Sequence, residues 1–328
     1  MELGPERSRE AGIGGAAGGF AIRSPGLLTT VQDGGRYGRQ HLGVPVAGPM
    51  DAVSYRVANA AVGNSPSSAA LEVTLVGPEI EFRQAARFAV SGAAFPLQLA
   101  GASIPSDAPA LAAAGQRLTF GQRRRGARAY LAVAGGVAVP AALGSRATHL
   151  GSRTGGLDGR ALRAGDLLPI GTTARMEPLP RRFRSPLALP DGGARVRVVL
   201  GPHDAHFEPR VVDSFLTTRY FVTPQSDRMG YRLRGALLPR RTDGHLLSTA
   251  TPFGAVQVPP GGEPIVLMAD RQTAGGYPRI GTVITADLPL VGQLAPGDWI
   301  EFEACDQATA LRALVRLERV LLALERDG

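Results

Sequence analysis

The sequence contains no lysine, so all 36 of its basic residues are arginine. A chain without lysine has no Walker-type phosphate-binding loop and forms no Schiff base with a carbonyl substrate. If it handles phosphate or carboxylate groups, arginine side chains and backbone amides must bind them.

Cysteine is almost absent as well, since Cys305 is the only one. A single cysteine excludes an internal disulfide framework and a multi-cysteine zinc site, and a cytoplasmic location is the simplest expectation. No run of 18 apolar residues is present, so we expect no membrane-spanning segment. Residues 1–20 are rich in Gly, Ala and charge without an apolar core, which predicts a disordered extension rather than a signal peptide.

The net charge of +8 comes from arginines spread along the whole chain. Neither a recognition-helix pattern nor interleaved aromatic residues accompany this charge. A general preference for arginine explains it better than a nucleic-acid surface, and we expect no nucleic-acid partner.

The 43 glycines and 26 prolines point to many turns and short strands, so the predicted class is mostly β. A length of 328 residues suits two domains. A Pro-rich stretch over 173–194 is the predicted linker between a first domain at 21–172 and a second at 195–328. Each half contains a Gly-Pro step after a strand and ends in a Leu-x-x-Gly-Asp pattern, which suggests two related barrels.

The stretch from Ser248 to Trp299 alternates short apolar strands with polar strand ends. Gln257 lies between two valines, so its amide is expected on the opposite face of its strand. Asp270 and Thr273 follow a strand and precede Gly275-Gly276-Tyr277-Pro278, a turn that permits close approach of a ligand to the backbone. The alternative is an ordinary turn capped by Asp270 and Thr273, and the motif alone favours that alternative.

Two helices have clear start signals. Asp51 is placed to cap a helix from Ala52 to Val62, and this capping role competes on equal terms with a ligand role. Asp306 is placed to cap a C-terminal helix whose apolar face we expect to pack on the second barrel, through Leu311, Leu314, Leu317, Leu321 and Leu324.

The familiar catalytic motifs are missing from the sequence. There is no Gly-x-Ser-x-Gly, and His203 with His206 lacks a clear third metal ligand, so we predict no metal site. What remains are acid, amide and arginine sets: Asp33 with Arg36, Asp227 with Arg228, and Asp270 with Gln272 and Thr273. Such sets suit the polarisation of a carbonyl or the binding of an anion. The Gly-rich loop at 151–159 is a second candidate for binding an anion.

A further set of motifs occurs in order from Gly26 to Phe302. They are Gly26 to Asp33, Gly35-Arg36, Gly43-Val44-Pro45, Gly48-Pro49-Met50-Asp51, Asn59, Asn64, Leu71-Glu72, Gly77-Pro78, Gly144-Ser145-Arg146, Gly155-Gly156-Leu157, Gly201-Pro202, Ser226 to Gly230, Arg232-Leu233, Gly254 to Pro259, Asp270, Gln272-Thr273 and Gly275 to Pro278. In these motifs the chain resembles the biotin-dependent carboxyltransferase family, which includes KipA-like proteins, the allophanate hydrolase subunit 2 type and the C-subunit type of 5-oxoprolinase.

The resemblance implies two tandem cyclophilin-like β-barrels with a few short helices. For the C-subunit type of 5-oxoprolinase, which the chain resembles most, it implies ATP-dependent opening of 5-oxoproline to glutamate. That activity needs a KipI or PxpB-type subunit and a PxpA-type subunit. Two alternatives stay open: a carboxyltransferase that moves CO2 from carboxybiotin to a urea-like or amide substrate, and a non-catalytic KipA-type antagonist of a kinase inhibitor.

The resemblance and the polar sets together give the candidate site. ATP is implied by the resemblance alone, and biotin can take part only on another chain because this one has no lysine. Candidate catalytic residues are Asp270, Gln272, Thr273, Gln257, Asp227 and Arg228. Candidate substrate-binding or cofactor-binding residues are Gln32, Asp33, Arg36, Asp51, Glu72, Arg146, Gly275, Gly276 and Tyr277.

Overall fold

The structure is a computed structural model that describes residues 18–173, 182–241 and 246–327. The predicted N-terminal extension lies outside these residues up to position 17, as does the part of the predicted linker at 174–181. The first ordered strand begins at Phe20 and the strand that follows the linker begins at Gly193.

The first half of the chain (residues 18–173) builds two antiparallel sheets. Its strands are β1 (Phe20–Ser24), β2 (Leu28–Gln32), β3 (Ala70–Thr74), β4 (Glu79–Phe82), β5 (Ala86–Ala94), β6 (Leu97–Leu99), β7 (Ala102–Ile104), β8 (Ala110–Ala112), β9 (Arg117–Phe120), β10 (Arg125–Val133) and β11 (Leu167–Leu168). One sheet has the order β11-β1-β4-β9-β6-β7 and the other has the order β2-β3-β10-β5-β8. Side chains from both sheets share one apolar core that includes Ile22, Leu71, Phe82, Phe88 and Leu131.

The second half (residues 193–327) builds a closed barrel. Its strands are β12 (Gly193–Leu200), β13 (Tyr220–Val222), β14 (Gly230–Arg234), β15 (Thr249–Ala250), β16 (Ala255–Gln257), β17 (Ile265–Leu267), β18 (Ala274–Gly275), β19 (Arg279–Val283) and β20 (Trp299–Ala304). The barrel has the order β12-β19-β16-β17-β14-β13-β20 and closes through a parallel pairing of β12 with β20. β15 and β18 form a separate two-stranded ribbon. The mostly β class is therefore confirmed.

Four α-helices accompany these strands in the described residues: α1 (Ala52–Ala61), α2 (Pro209–Thr217), α3 (Leu288–Gly292) and α4 (Gln307–Asp327). Three short 3-10 helices lie at Gln40–Leu42, Asp204–His206 and Thr285–Asp287. Asp51 caps α1 by accepting a hydrogen bond of 2.9 Å from the Ser54 amide, as its position before the helix predicted. No helix in the described ranges is long and apolar enough to cross a membrane.

The C-terminal helix α4 packs differently from the prediction. Leu321 is buried against Val53 and Val57 of α1, so the apolar face of α4 contacts the first half. Arg56 of α1 adds ion pairs of 2.8 Å to Glu318 and 2.6 Å to Glu325. α4 also contacts β12 and the 3-10 helix at Thr285–Asp287 of the second half. The periodicity identified an apolar face but could not identify its partner, and α4 joins the two halves instead of packing on the second alone.

Candidate functional site

A row of polar side chains lies on one face of β3 and β10. The two strands pair so that Tyr130 is opposite Glu72 and Arg128 is opposite Thr74. Because side chains alternate between the faces of a strand, these four residues share a face. All four are buried. Helix α1 of the first half packs on Tyr130, and groups of the second half contact Glu72 and Arg128.

Arg228 reaches this polar face from the second half. Its guanidinium donates to Asp270 through two hydrogen bonds of 2.8 and 3.1 Å, and it donates to Glu72 as well. A further bond of 2.7 Å goes to the Gly48 carbonyl of the first half. Glu72 is held in place by the Tyr130 hydroxyl at 2.7 Å and by the Met50 amide at 2.9 Å. We call Glu72, Tyr130, Arg228 and Asp270 the buried network.

Arg228 and Glu72 of the buried network both favour their charged forms. Burial alone would lower the pKa of Arg228, but Asp270 and Glu72 outweigh burial and raise it. Burial alone would raise the pKa of Glu72, but Arg228 and Arg128 hold it below its ordinary value. Two carboxylates thus share one arginine at the boundary between the halves, where paired charges and complete hydrogen bonding offset the cost of desolvation.

A second link between the halves runs through Gln293 at the end of α3. Its amide nitrogen donates to the Asp51 carboxylate and to the Arg128 carbonyl, both at 2.7 Å. Its oxygen accepts from the amides of Ala127 at 2.9 Å and Arg128 at 3.0 Å. Burial raises the pKa of Asp51, although the bonds from Gln293 and Ser54 oppose that change. The predicted site residue Asp51 therefore serves as a helix cap and as an interdomain contact.

A cavity of about 570 Å³ opens between the halves beside the buried network, and we call it the interdomain cavity. Arg128, Arg228, Tyr231 and Asp270 supply polar groups to its wall. Its apolar wall comes from both halves, through Leu27, Leu28, Leu75, Leu150, Val222, Met229 and Leu294. A concave, largely apolar site with a few convergent polar groups is typical of a small-molecule binding site.

Asp33 and Arg36, predicted as a pair, are both buried but do not contact each other through a hydrogen bond. Asp33 accepts from the Ser145 hydroxyl at 2.6 Å, from the Gly35 amide at 3.0 Å and from the Arg146 amide. The Arg146 side chain donates to the Val139 carbonyl at 2.7 Å. Asp33 and Arg146 thus hold the loop around Ser145, which is a structural role rather than the expected joint binding of a ligand.

The Arg36 guanidinium is enclosed by backbone carbonyls. It donates to Ala142 at 2.8 Å and to Ala147 at 2.9 Å, and its burial lowers its pKa despite the nearby charges of Asp33 and Asp270. A Cβ at Gly155 would lie 2.7 Å from the Arg36 Nη2 atom, and Gly155 has φ of +71°. Glycine is therefore required where the loop closes over Arg36.

Five amides of the Gly-rich loop at 151–159 donate to partners within the protein, namely those of Ser152, Arg153, Thr154, Gly156 and Gly159. His149 anchors the start of the loop, with its Nε2 atom 3.4 Å from the Asp270 carbonyl. The loop therefore joins the wall between the halves, and an anion cradle formed by its other amides stays a prediction.

Gln257 and Gln272 form a separate cluster in the second half. The Gln272 side-chain nitrogen lies 3.4 Å from the Gln257 oxygen, and within the described residues the buried Gln257 nitrogen has no hydrogen-bond partner. A Cβ at Gly275 would lie 2.8 Å from that nitrogen, which explains the glycine. Thr251 contacts this cluster through the carbonyls of Gln272 and Thr273. None of these residues lines the interdomain cavity.

The remaining candidates lie in three different places. Asp227 is exposed at the cavity rim and accepts from the amides of Met229 and Gly230, so it caps a turn instead of pairing with Arg228. Tyr277 is 46% exposed, and Gly276 packs against the Leu246 carbonyl. Gln32 is buried in the first half, where its nitrogen donates to Thr30 and to the Thr148 carbonyl. The structure thus brings together Glu72, Arg228 and Asp270. Asp51 adjoins them, because its amide donates to the Tyr130 hydroxyl, and Asp227 lies on the same cavity. Gln32, Gln257 and Tyr277 lie elsewhere.

Histidines do not form a metal centre in the described part of the chain. The rings of His203 and His206 are 5.8 Å apart, and His203 accepts a hydrogen bond from the Arg279 amide. No group of three His, Cys, Asp or Glu side chains among residues 18–173, 182–241 and 246–327 is placed to hold a metal ion.

Four residues of the site were missed in the sequence: Arg128, Tyr130, Tyr231 and Gln293. Arg128 and Tyr130 are two positions apart in a strand, so alternation could have placed them on one face. Their position opposite Thr74 and Glu72 depends on the strand register, which a single sequence does not supply. No local pattern marks Gln293, whose partners are more than 160 positions away.

Comparison with known proteins assigns the family. The sequence matches the carboxyltransferase domain, subdomain A and B, over residues 42–304. It is 42% identical over 288 residues to the C subunit of 5-oxoprolinase from Escherichia coli (strain K12), covering 88% of this chain and 92% of that protein. It is 38% identical over 282 residues to the C subunit of 5-oxoprolinase from Haemophilus influenzae, covering 84% of this chain and 87% of that protein. The chain belongs to this carboxyltransferase family.

A solved structure extends the comparison to the fold. The crystal structure of the K. lactis urea amidolyase superposes with a TM-score of 0.85 at 32% sequence identity. The alignment covers 93% of this chain and 20% of the urea amidolyase chain. This chain thus spans about a fifth of that larger protein, and both halves of the fold are shared with it.

Proposed function

We propose that this chain is the C subunit of an ATP-dependent 5-oxoprolinase, which opens the lactam ring of 5-oxoproline to L-glutamate. The observation that carries the proposal is the interdomain cavity with Arg228 and Asp270 on its wall. The 5-oxoprolinase C subunits of E. coli and H. influenzae match this chain along most of their own length, which supports this activity over that of a longer enzyme.

The chemistry of a lactam suits the groups on the cavity wall. A lactam presents an N–H donor and a carbonyl acceptor on one edge of a small, otherwise apolar ring. Asp270 is held in place by its two hydrogen bonds from Arg228, so its oxygens can accept a further hydrogen bond from the lactam N–H or from an attacking water. The apolar side chains on the rest of the wall strengthen these interactions relative to water.

Partner subunits belong to the proposal. We propose that a KipI or PxpB-type subunit and a PxpA-type subunit assemble with this chain and that the complex consumes ATP. Lysine is absent, and five of the nine amides of the loop at 151–159 donate to partners within the protein, so this loop is a poor match for a phosphate group. We therefore assign no step with ATP to residues of this chain.

Carboxyl transfer from carboxybiotin is the alternative. The similarity to the K. lactis urea amidolyase favours it, because the shared region covers both halves of this fold. In that case the carboxybiotin would arrive on another chain, since no lysine is present here to carry biotin. Urea or another amide would then occupy the interdomain cavity.

A reconstitution experiment tests the proposal. The chain is purified with its A and B partners, and glutamate release from 5-oxoproline is measured with ATP present, with ATP absent, and with each subunit omitted in turn. We expect release that needs ATP and all three subunits. No release by a complete mixture of folded subunits would contradict the proposal, and carboxyl transfer from free carboxybiotin to urea in the same mixture would favour the alternative.

A further inference from the structure

Arg128 is a buried cation on the wall of the interdomain cavity, with 5% of its surface exposed. Both of its side-chain hydrogen bonds start from one nitrogen, Nη1, which donates to the Gly292 carbonyl at 2.6 Å and to the Tyr231 hydroxyl. Its Nε–H group is buried without any hydrogen-bond partner among the described residues. Its guanidinium also lies 5.6 Å from the centre of the Tyr231 ring.

Among the described residues, none is a direct counterion of Arg128. Its two hydrogen-bond acceptors, a carbonyl and a hydroxyl, are both neutral. Glu72 interacts with Arg128 through space, but both Glu72 oxygens are already bound by Arg228, Tyr130 and the Met50 amide. In the described residues, Arg128 forms no ion pair within 4.0 Å, unlike Arg228 beside it. A buried charge without a partner is costly, and the unused N–H groups of the guanidinium can bind an anion.

We propose that Arg128 binds the carboxylate of a small ligand in the interdomain cavity, so that the site selects a carboxylate-bearing lactam over neutral amides. This inference rests on the proposed function and deepens it. The planar guanidinium matches a carboxylate in shape and charge, and its unused donors are sufficient for one such group. Asp270 on the same wall would then contact the lactam edge of the same molecule, so that the two groups fix its orientation.

The selectivity follows from what each ligand leaves unpaired. A carboxylate satisfies Arg128, whereas urea or a simple lactam leaves the arginine desolvated without a counterion. Sites that bury a charged donor discriminate strongly against ligands that lack its partner. The cavity as built is thus better suited to 5-oxoproline than to urea.

The test uses two probes that differ in one group: 5-oxoproline and its carboxamide, 5-oxoprolinamide. Binding of each to the assembled complex without ATP is measured by equilibrium dialysis. We expect wild type to bind the acid at least about 10-fold more tightly than the amide. Arg128→Gln should remove this preference and Arg128→Lys should keep part of it. In turnover, Arg128→Gln should raise KM by about 10- to 100-fold with a smaller effect on kcat.

Two controls separate binding from folding. Arg195→Gln removes an equal charge from an exposed ion pair on the barrel surface and should leave the acid preference intact. Circular dichroism melting confirms that each variant is folded, and Arg128→Lys supplies a second reading if Arg128→Gln unfolds. Equal binding of acid and amide by wild type, an unchanged preference in a folded Arg128→Gln, or binding of neither probe would overturn the inference.

Binding and turnover together distinguish a failure of the proposed 5-oxoprolinase activity from a failure of the proposed role of Arg128. If the complete complex binds the acid in preference to the amide through Arg128 but releases no glutamate, Arg128 retains its role and the 5-oxoprolinase activity is wrong. If glutamate is released while Arg128→Gln retains wild-type KM and acid preference, the activity stands and the role of Arg128 is wrong.

Discussion

Arg228 donates a hydrogen bond to Glu72 across the boundary between the two halves. This bond joins the chain just before β14 of the barrel to β3 of the first half. Neither side chain has more than a few per cent of its surface exposed. The contact is therefore inseparable from the packing of one half on the other. It also places Asp270, the second partner of Arg228, on the wall of the interdomain cavity.

We predict that Arg228→Met destabilises the protein by about 3–5 kcal/mol, because it leaves the Glu72 and Asp270 carboxylates buried without their cation. Urea denaturation of wild type and variant gives the free energy of unfolding. Arg195→Gln, at an exposed ion pair with Glu301, is the matched control and should cost at most about 1 kcal/mol. Equal losses in the two variants would show that the buried network does not stabilise the interface.

The raised pKa of Asp51 predicts an unusual dependence of stability on pH. In the unfolded chain Asp51 loses its proton near its ordinary pKa of 3.8, whereas burial raises that pKa in the folded state. Its contribution to stability is therefore complete below that pKa and is lost as pH rises through the higher folded value. The free energy of unfolding of wild type minus that of Asp51→Asn should fall as pH rises above about 4.

Asp166 is the control, because its pKa is lowered in the folded protein whereas that of Asp51 is raised. Hydrogen bonding to Arg160 lowers its pKa, so its contribution is present above its ordinary pKa of 3.8 and is lost as pH falls through the lower folded value. The free energy of unfolding of wild type minus that of Asp166→Asn should therefore rise with pH. Urea denaturation at a series of pH values measures this difference for both variants. If the two differences in free energy of unfolding changed with pH in the same direction, the raised pKa of Asp51 would be contradicted.

The docking of α4 on α1 predicts a contrast between two leucines of one helix. Leu321 is 2% exposed against Val53 and Val57, whereas Leu311 is 62% exposed. Leu321→Ala should cost about 2–5 kcal/mol of stability through the lost contacts and the cavity left behind. Leu311→Ala should change stability by no more than about 0.5 kcal/mol. Thermal denaturation measures both, and a comparable loss at Leu311 would place the apolar face of α4 elsewhere.

Gly292 marks where the backbones of the two halves come closest. A Cβ at this position would lie 2.3 Å from the Met50 carbonyl oxygen, so alanine has to push α3 away from the first half. We predict that Gly292→Ala destabilises by about 1–3 kcal/mol, although alanine ordinarily favours a helix over glycine. Gly261→Ala, which has open space around the added Cβ, should be close to neutral in the same denaturation experiment. A stabilised Gly292→Ala would mean that the halves separate readily.

Local signals in the sequence predicted much of the fold. The caps at Asp51 and Asp306 each depend on a few neighbouring residues, and both are present. The mostly β class rested on composition, whereas the paired cyclophilin-like barrels rested on a family resemblance.

The site was harder to predict because its bonds join distant positions. Arg228 was expected beside Asp227, its neighbour in sequence, but its partners are Asp270 and Glu72, the latter 156 positions away. Asp33 and Arg36 illustrate the same error, since closeness in sequence did not make them a pair. The docking of the two halves decides the contact of Arg228 with Glu72, and no local pattern encodes it.

The most direct test of the account is ATP-dependent glutamate release from 5-oxoproline by the reconstituted complex carrying Asp270→Asn. This change keeps the size of the side chain and removes the carboxylate from the cavity wall. We predict a loss of at least about 100-fold in turnover, with the variant still binding its partners in wild-type proportion. Asp213→Asn, at an exposed position on α2, is the control and should keep full activity. Wild-type turnover by Asp270→Asn would contradict the assignment of the interdomain cavity as the place where 5-oxoproline reacts.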